Sequence, residues 1–379
     1  MNNKLLATVF AVLLTTFTVF IALDTFVITR VYQTEVSAAD VFSQNEDEDA
    51  NDSGMAFLNE SAENADEAAE TNIVSKSVTA DTNAETDTGD SSGSSRSGRQ
   101  GSHRSHHSQT SWGGDSFGGS SGSESESASE TPAEISVTST STKEYKDDNI
   151  QITITQYKVN NSTVYAADIQ LSSAEYLKSA FANNSYGRNV AAKTSVIASE
   201  HNAVLAINGD YYGARERGYV IRNGVVYRDT ASDSDILCIY TDGTMAIADP
   251  SKVTAQELVE QGVWQAYSFG PALIENGEIS VTTDSEVGMS MFSNPRTAIG
   301  IIDSLHYVFV VSDGRTSTSE GLTLYELADF MKKLNVNTAY NMDGGGSSTM
   351  VFQGEILNKP TTTGSSIKER EVSDIVYIG

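Results

Sequence analysis

The chain has 379 residues, a formal net charge of −27 and a single cysteine. That acidity excludes nucleic acid as a partner, because binding to phosphates rests on clustered Lys and Arg that release counterions. One cysteine excludes an intrachain disulfide, and the place of Cys238 in the apolar run Ile236–Tyr240 marks it as a core residue rather than a nucleophile.

Charge is unevenly spread, with 6 Lys/Arg against 22 Asp/Glu before residue 141. At the start of the chain, residues 5–23 are uncharged and largely apolar. At about 1.5 Å per residue they suffice to cross most of a bilayer's roughly 30 Å hydrocarbon core. They run into Asp24 without a small-x-small cleavage site, so residues 1–30 read as a retained transmembrane signal-anchor rather than a cleaved signal. Lys4 votes for the inside. The expected location is therefore the cell membrane, single-pass, with the rest of the chain extracellular, or secreted if the segment is cleaved. Residues 31–145 are acidic and rich in Ser and Gly with few large apolar side chains, the composition of a disordered linker. Its expected job is reach, holding a domain some tens of ångströms from the membrane. His103, His106 and His107 fall within it and read as a solvated low-complexity patch.

The texture changes from Asn149, and residues 146–379 are expected to form a single catalytic domain. Ile150, Ile152 and Ile154 alternate with polar residues and a second apolar run follows Asn160-Asn161-Ser162, the pattern of a hairpin. Further short apolar runs separated by Gly, Asn or Asp predict more strands. One helix is marked by the capping box of Thr323 and Glu326, followed by Leu324, Leu327, Ala328, Met331 and Leu334 at helical spacing. It lies between strands predicted at residues 307–312 and 338–342, a length suited to a right-handed crossover between parallel strands. The fold class is thus α+β, a mixed β-sheet with few helices.

Four polar clusters stand at predicted strand ends, where a rigid scaffold presents functional groups. They are Asn208-Gly209-Asp210-Tyr211-Tyr212, Asn294-Pro295-Arg296-Thr297, Ser312-Asp313-Gly314-Arg315 and Asn341-Met342-Asp343-Gly344-Gly345-Gly346-Ser347-Ser348. Each alone is ordinary turn chemistry. The glycine run is the least ordinary, since side-chain-free residues expose successive N–H groups to an anionic ligand. It has neither the lysine of a Walker loop nor the spacing of a dinucleotide fingerprint. Tyr211 and Tyr212 suit stacking on a sugar ring and core packing equally. His201 and Glu320, near these clusters in sequence, read as surface residues.

In this order the clusters resemble those of phosphodiester glycosidase domains: Asn208 to Tyr212, Arg296-Thr297-Ala298-Ile299-Gly300, Asp313-Gly314-Arg315 and Asn341 to Met350. The resemblance covers residues 149–379, including Arg370-Glu371-Val372-Ser373-Asp374 before a final strand. Met342 stands where Leu is expected and Asp374 where Asn is expected, both outside the proposed chemistry. What the resemblance implies is hydrolysis of a sugar-1-phosphodiester between the anomeric carbon and the phosphate oxygen, in a cell-surface glycopolymer or glycolipid.

The residue types suit that reaction. Arg296 and Arg315 offer planar bidentate donors to phosphate, and Gly344, Gly345 and Gly346 offer amides. Asn208, Thr297, Ser347 and Ser348 complete the expected binding set. Asp210, Asp313 and Asp343 are the catalytic candidates, as nucleophile or as base for water, with their roles undivided. No cofactor is required by the sequence. Two other readings stand beside this one. In a metal-dependent phosphodiesterase, Asp210, Asp313, Asn341 and Asp343 would ligate Ca2+ or Mg2+. In a non-catalytic wall-polymer binding module, the arginines and glycine loop would only hold phosphate.

Overall fold

The computed structural model describes residues 3–26, 28–35, 135–285 and 293–379, all within one compact unit. Strands dominate, and among the described residues there are four α-helices: α1 (Asn3–Phe26), α2 (Thr194–Glu200), α3 (Ala255–Glu260) and α4 (Leu324–Lys333). The expected hairpin is present, with Ile150–Val159 paired to Ser162–Leu171 and Ile152 opposite Ile169. Its alternation places Ile150, Ile152 and Ile154 on the buried face.

That hairpin is part of an eight-stranded sheet, flanked by two five-stranded sheets. Ile152, Ile169, Phe309 and Tyr340 of the large sheet meet Leu205, Ile207, Phe352 and Val376 of one small sheet and Leu237, Ile239 and Tyr267 of the other in one apolar core. Each such buried side chain contributes about 1.5–3 kcal/mol. A helix covers the outer face of each sheet. α4 packs on the eight-stranded one, α2 lies behind the strands Leu205–Asn208 and Asp374–Ile378, and α3 lies behind Val263–Tyr267. Cys238 is fully buried in the last of these layers, where burial pushes its thiol up to about 12, as expected of a core residue.

The capping box of α4 is formed, Thr323 Oγ1 accepting from the Glu326 N–H at 3.1 Å and Glu326 Oε2 from the Thr323 N–H at 2.9 Å. Leu324, Leu327, Ala328 and Met331 are buried at the spacing the sequence gives. The crossover differs in one respect. His306–Ser312 and Thr338–Asn341 run parallel, but they are not neighbours, because Thr297–Asp303 lies between them and pairs antiparallel with both.

Two boundaries are corrected. Val137–Lys146 is a strand paired with Ile150–Val159, so residues 137–145 belong to the domain and not to a linker. Its side chains are mostly exposed, so no apolar alternation marks it, although its Thr and Ser content is compatible with a sheet edge. At the other end of the predicted linker, Arg30–Thr34 pairs antiparallel with Ser185–Arg188. The approach is close enough that a Cβ at Gly187 would lie 2.0 Å from the Arg30 carbonyl oxygen. Tyr32 packs on Tyr186 with ring centroids 5.9 Å apart. Glu35 ends this strap by accepting from the Phe181 N–H at 2.8 Å. Burial, with the charge of Asp374, pushes its carboxyl up to about 7 against the opposing effects of that hydrogen bond and of Arg222.

Both flanks of residues 36–134 are therefore fixed in the same unit. That segment cannot set a distance between α1 and the domain, and the expected reach is withdrawn. It lies outside the described residues, as do His103, His106 and His107. A helix does form over the N-terminal apolar stretch, with exposed side chains from Val9 to Ile21. Among the described residues, however, no helix is long and apolar enough to cross a membrane, so the expected transmembrane anchor is not supported.

Candidate active site

A cavity of about 320 Å³ opens where the ends of several strands meet, and four arginines line it: Arg215, Arg296, Arg315 and Arg370. Asp343 is the one carboxylate among its described lining residues. Each guanidinium is held by the local chain. Arg296, just before the strand Thr297–Asp303, is 4% exposed, and its Nε donates to the Leu322 carbonyl at 2.9 Å. Burial, and then the charge of Arg315, lowers its pKa to about 10, so it stays charged at neutral pH. Arg315 adopts a left-handed backbone (φ 60°) and donates from Nε and Nη2 to Asn294 Oδ1 at 3.0 and 2.8 Å. A Cβ on Gly345, itself at φ +60°, would come within 3.0 Å of Arg315 Nη2, so a side chain there would crowd the clamp.

Arg370 joins the cleft from the far end of the chain. Its Nη2 donates to Asp343 Oδ2 at 2.9 Å, its Nε to Ser347 Oγ at 2.9 Å, and its guanidinium lies 5.7 Å from the centre of the Tyr211 ring. Arg215 donates to the Ser268 carbonyl at 3.0 Å and lies 4.6 Å over the ring of Phe269. Burial raises the pKa of Asp343, while Arg370, Ser347 and the Gly344 N–H pull it back. Guanidinium charge thus exceeds carboxylate charge in the cavity, which favours an anionic ester. Asn341 lines the same cavity with a buried Oδ1 that has no hydrogen-bond partner, an acceptor for a ligand N–H or O–H.

The predicted site divides. Arg296, Arg315, Asp343 and Gly344 to Gly346 all line the cavity. The glycine amides are less available than expected, because the Gly345 N–H is committed to the Pro295 carbonyl at 2.8 Å. Asn208 and Thr297 sit behind the cavity. Thr297 Oγ1 donates to Asn208 Oδ1 at 2.8 Å and Asn208 Nδ2 to the Asp343 carbonyl at 2.6 Å, so this pair positions Asp343. Ser347 holds Arg370. Ser348 is buried, its carbonyl accepting from Asn358 Nδ2 at 2.8 Å.

Two of the three catalytic candidates are not in the cavity. Asp210 is buried against Arg222, 2.9 Å from its Nη2, and Arg222 also pairs with Asp374 at 2.8 Å. Asp210 Oδ2 accepts from the Ser268 N–H at 2.9 Å, which ties this closed triad to the residue that holds Arg215. Asp313 accepts from the Lys359 N–H at 2.6 Å and burial raises its pKa, but it does not line the cavity. Among the described residues no three of His, Cys, Asp or Glu are grouped to hold a metal ion, so the set Asp210, Asp313, Asn341 and Asp343 does not form a ligand shell.

Sequence reasoning missed Arg215 and Phe269 and gave Asn294 and Arg370, both within its motifs, no role. Arg215 lies in Arg215-Glu216-Arg217 and Arg370 beside Glu371, local patterns that read as solvated charge. The tyrosine pair splits: Tyr211 is 42% exposed and lines the cavity, whereas Tyr212 is buried and stacks on Tyr186 at 5.2 Å. His201, hydrogen-bonded to Asn184, and Glu320, hydrogen-bonded to Asn161, are outside the cavity, as expected.

The cleft thus combines an arginine clamp with one buried carboxylate among its described lining residues, an electrostatic arrangement suited to an anionic ester. Residues 201–379 match the family model of phosphodiester glycosidases. That is the family which the order of the motifs had indicated. The preceding strands from Val137 to Leu171, which complete the eight-stranded sheet, lie outside the matched segment. Human N-acetylglucosamine-1-phosphodiester alpha-N-acetylglucosaminidase is 36% identical over 101 residues, 24% of this chain and 19% of that protein. A SPbeta prophage-derived uncharacterized protein of Bacillus subtilis is 28% identical over 173 residues, 43% of this chain and 26% of that protein. The chain therefore spans about a quarter or less of the length of the curated relatives it matches. The catalytic domain of the zebrafish N-acetylglucosamine-1-phosphodiester alpha-N-acetylglucosaminidase, auto-inhibited by its pro-peptide, superposes with a TM-score of 0.49 at 20% identity, over 66% of this chain and 84% of that one.

Proposed function

We propose that the chain hydrolyses the glycosidic bond of a sugar-1-phosphodiester, releasing free sugar and a phosphomonoester. The observation that carries this reading is the convergence of Arg215, Arg296, Arg315 and Arg370 on a cavity whose one carboxylate among the described residues is Asp343. The arginines bind the phosphodiester and stabilise the charge that the leaving phosphate takes with the bonding electron pair. A phosphomonoester has a second pKa near about 6, so it leaves with less protonation than a sugar alkoxide needs. Asp343 takes the proton of the water whose oxygen bonds to the anomeric carbon. Two flanking carboxylates are the usual glycosidase arrangement. Here the arginines replace the acid of that pair. Tyr211 and Phe269 offer aromatic faces to the sugar.

The natural substrate, in the same proposal, is a cell-surface glycopolymer or glycolipid, on the strength of the apolar N-terminal stretch, which reads as an export signal. The test is incubation of the full chain with an α-N-acetylglucosamine-1-phosphodiester, with and without chelator, followed by mass spectrometry. Free sugar is expected from the wild type and not from Asp343→Asn. Sugar 1-phosphate, lost with chelator, would establish the Ca2+- or Mg2+-dependent phosphodiesterase instead, and binding without turnover would establish the binding module.

A further inference from the structure

A second, larger groove of about 890 Å³ adjoins the cavity and is not used by the chemistry above. Arg370 lines both. The wall between them also includes Thr362, whose carbonyl accepts from Arg315 Nη1 at 2.6 Å and which lines the groove. A phosphodiester held by Arg315 and Arg370 thus has its sugar side towards Tyr211 and Phe269 and its other ester arm towards this groove.

The groove's chemistry is distinctive. Lys193, Lys368 and Arg370 face it, on a chain of net charge −27. Both lysines are exposed, and neither forms an ion pair among the described residues. Of the two acids that line it, Glu369 is 8% exposed and committed to Ser195, accepting from its N–H at 3.0 Å and from its hydroxyl. Glu371, the other acid, is exposed at the rim, opposite Lys193 in the ladder of Glu371–Val372 with Ala192–Lys193. The rest of the lining is hydroxyl, amide and one alanine, with no large apolar side chain.

We infer that this groove is the subsite for the aglycone, and that the aglycone is a hydrophilic chain bearing further phosphates rather than a lipid. The inference rests on the proposed hydrolase reading for the position of the scissile phosphate. A lipid tail would find no large apolar side chain to pack against there. A chain with repeated phosphates would place its next anion between Lys193 and Lys368, neither of which forms an ion pair among the described residues. The volume, nearly three times that of the catalytic cavity, accommodates more than one repeat unit.

The probe is a short glycerol-phosphate oligomer carrying no sugar, titrated calorimetrically into the full chain. It is expected to bind, to weaken as salt is raised, and to lose about tenfold in affinity in Lys193→Ala/Lys368→Ala. Turnover of a methyl sugar-1-phosphodiester should be unchanged in that double variant, since both lysines lie on the surface and neither lines the catalytic cavity. Equal binding by wild type and double variant, equal binding of an uncharged polyglycerol, or stronger binding of phosphoglycolipid micelles would overturn the inference. The two readings fail separately: oligomer binding without turnover removes the hydrolase alone, and turnover without oligomer binding removes the groove alone.

Discussion

The molecule contains two clusters in which arginine meets aspartate, about as different as that chemistry permits. At Asp210–Arg222–Asp374 every member is at most 1% exposed, and the guanidinium sits between two carboxylates. At the cavity the proportion is reversed, four guanidiniums to one carboxylate, with Asp343 8% exposed and Arg370 half-buried. The first cluster is saturated with its own counterions and has no room for another. The second carries excess positive charge and an opening. Residue type does not separate a structural ion pair from a reactive one; stoichiometry and access do.

Removing Arg222 should break that comparison most severely. Arg222→Ala leaves two buried carboxylates without their cation, and a loss of about 3–5 kcal/mol or more is expected in chemical denaturation. Asp343→Asn should leave the denaturation midpoint nearly in place while kcat falls about 10²–10⁴-fold, the range for removing a general base. If both variants lost the fold, the distinction between the clusters would collapse. Arg315→Lys keeps the charge but loses the planar fork held on Asn294, and kcat/KM should fall about 10–100-fold with most of the change in KM.

The closed triad also predicts a pH dependence of stability. Burial, with Asp210 adding and Arg222 opposing, pushes Asp374 up to about 7. A carboxyl whose folded pKa is raised contributes stability that is fully present below its unfolded value and is lost as pH rises through the folded one. Stability should therefore decline between about pH 4 and pH 7, and Asp374→Asn, neutral throughout, should flatten that slope in thermal melts. The smallest effect is expected at Asp313→Asn. The amide oxygen still accepts from the Lys359 N–H, so kcat should stay within about tenfold of wild type and stability within about 1 kcal/mol. A loss as large as that of Asp343→Asn would return Asp313 to the chemistry.

Much of this was legible in the sequence, for reasons that vary by element. The Ile150–Ile154 alternation and the Thr323/Glu326 box are local signals, and local signals survive folding. Arg296, Arg315, Asp343 and the glycine run were legible as motifs in order. The burial of Asp210 away from the cavity was not legible, because its partner Arg222 lies in a strand whose sequence, Val220–Arg222, gives no sign that the guanidinium turns inward. Arg370 was passed over for the converse reason, a charged residue in polar surroundings whose carboxylate partner is 27 positions away. Tyr211 and Tyr212 show the limit most sharply, since neighbours of identical type went to opposite environments when Tyr211 took a left-handed backbone (φ 66°).

The strap from Arg30 to Glu35 changes what a cut in the chain would do. Because the residues on either side of the acidic stretch are both seated in one unit, that stretch is an insertion, and its two ends are held together whether or not it is intact. A protease that nicks it would yield two polypeptides that remain associated through the Arg30–Arg188 ladder and Tyr32. Cleavage there would thus leave the fold that carries the cavity assembled, because the contacts that join its two parts lie outside the acidic stretch.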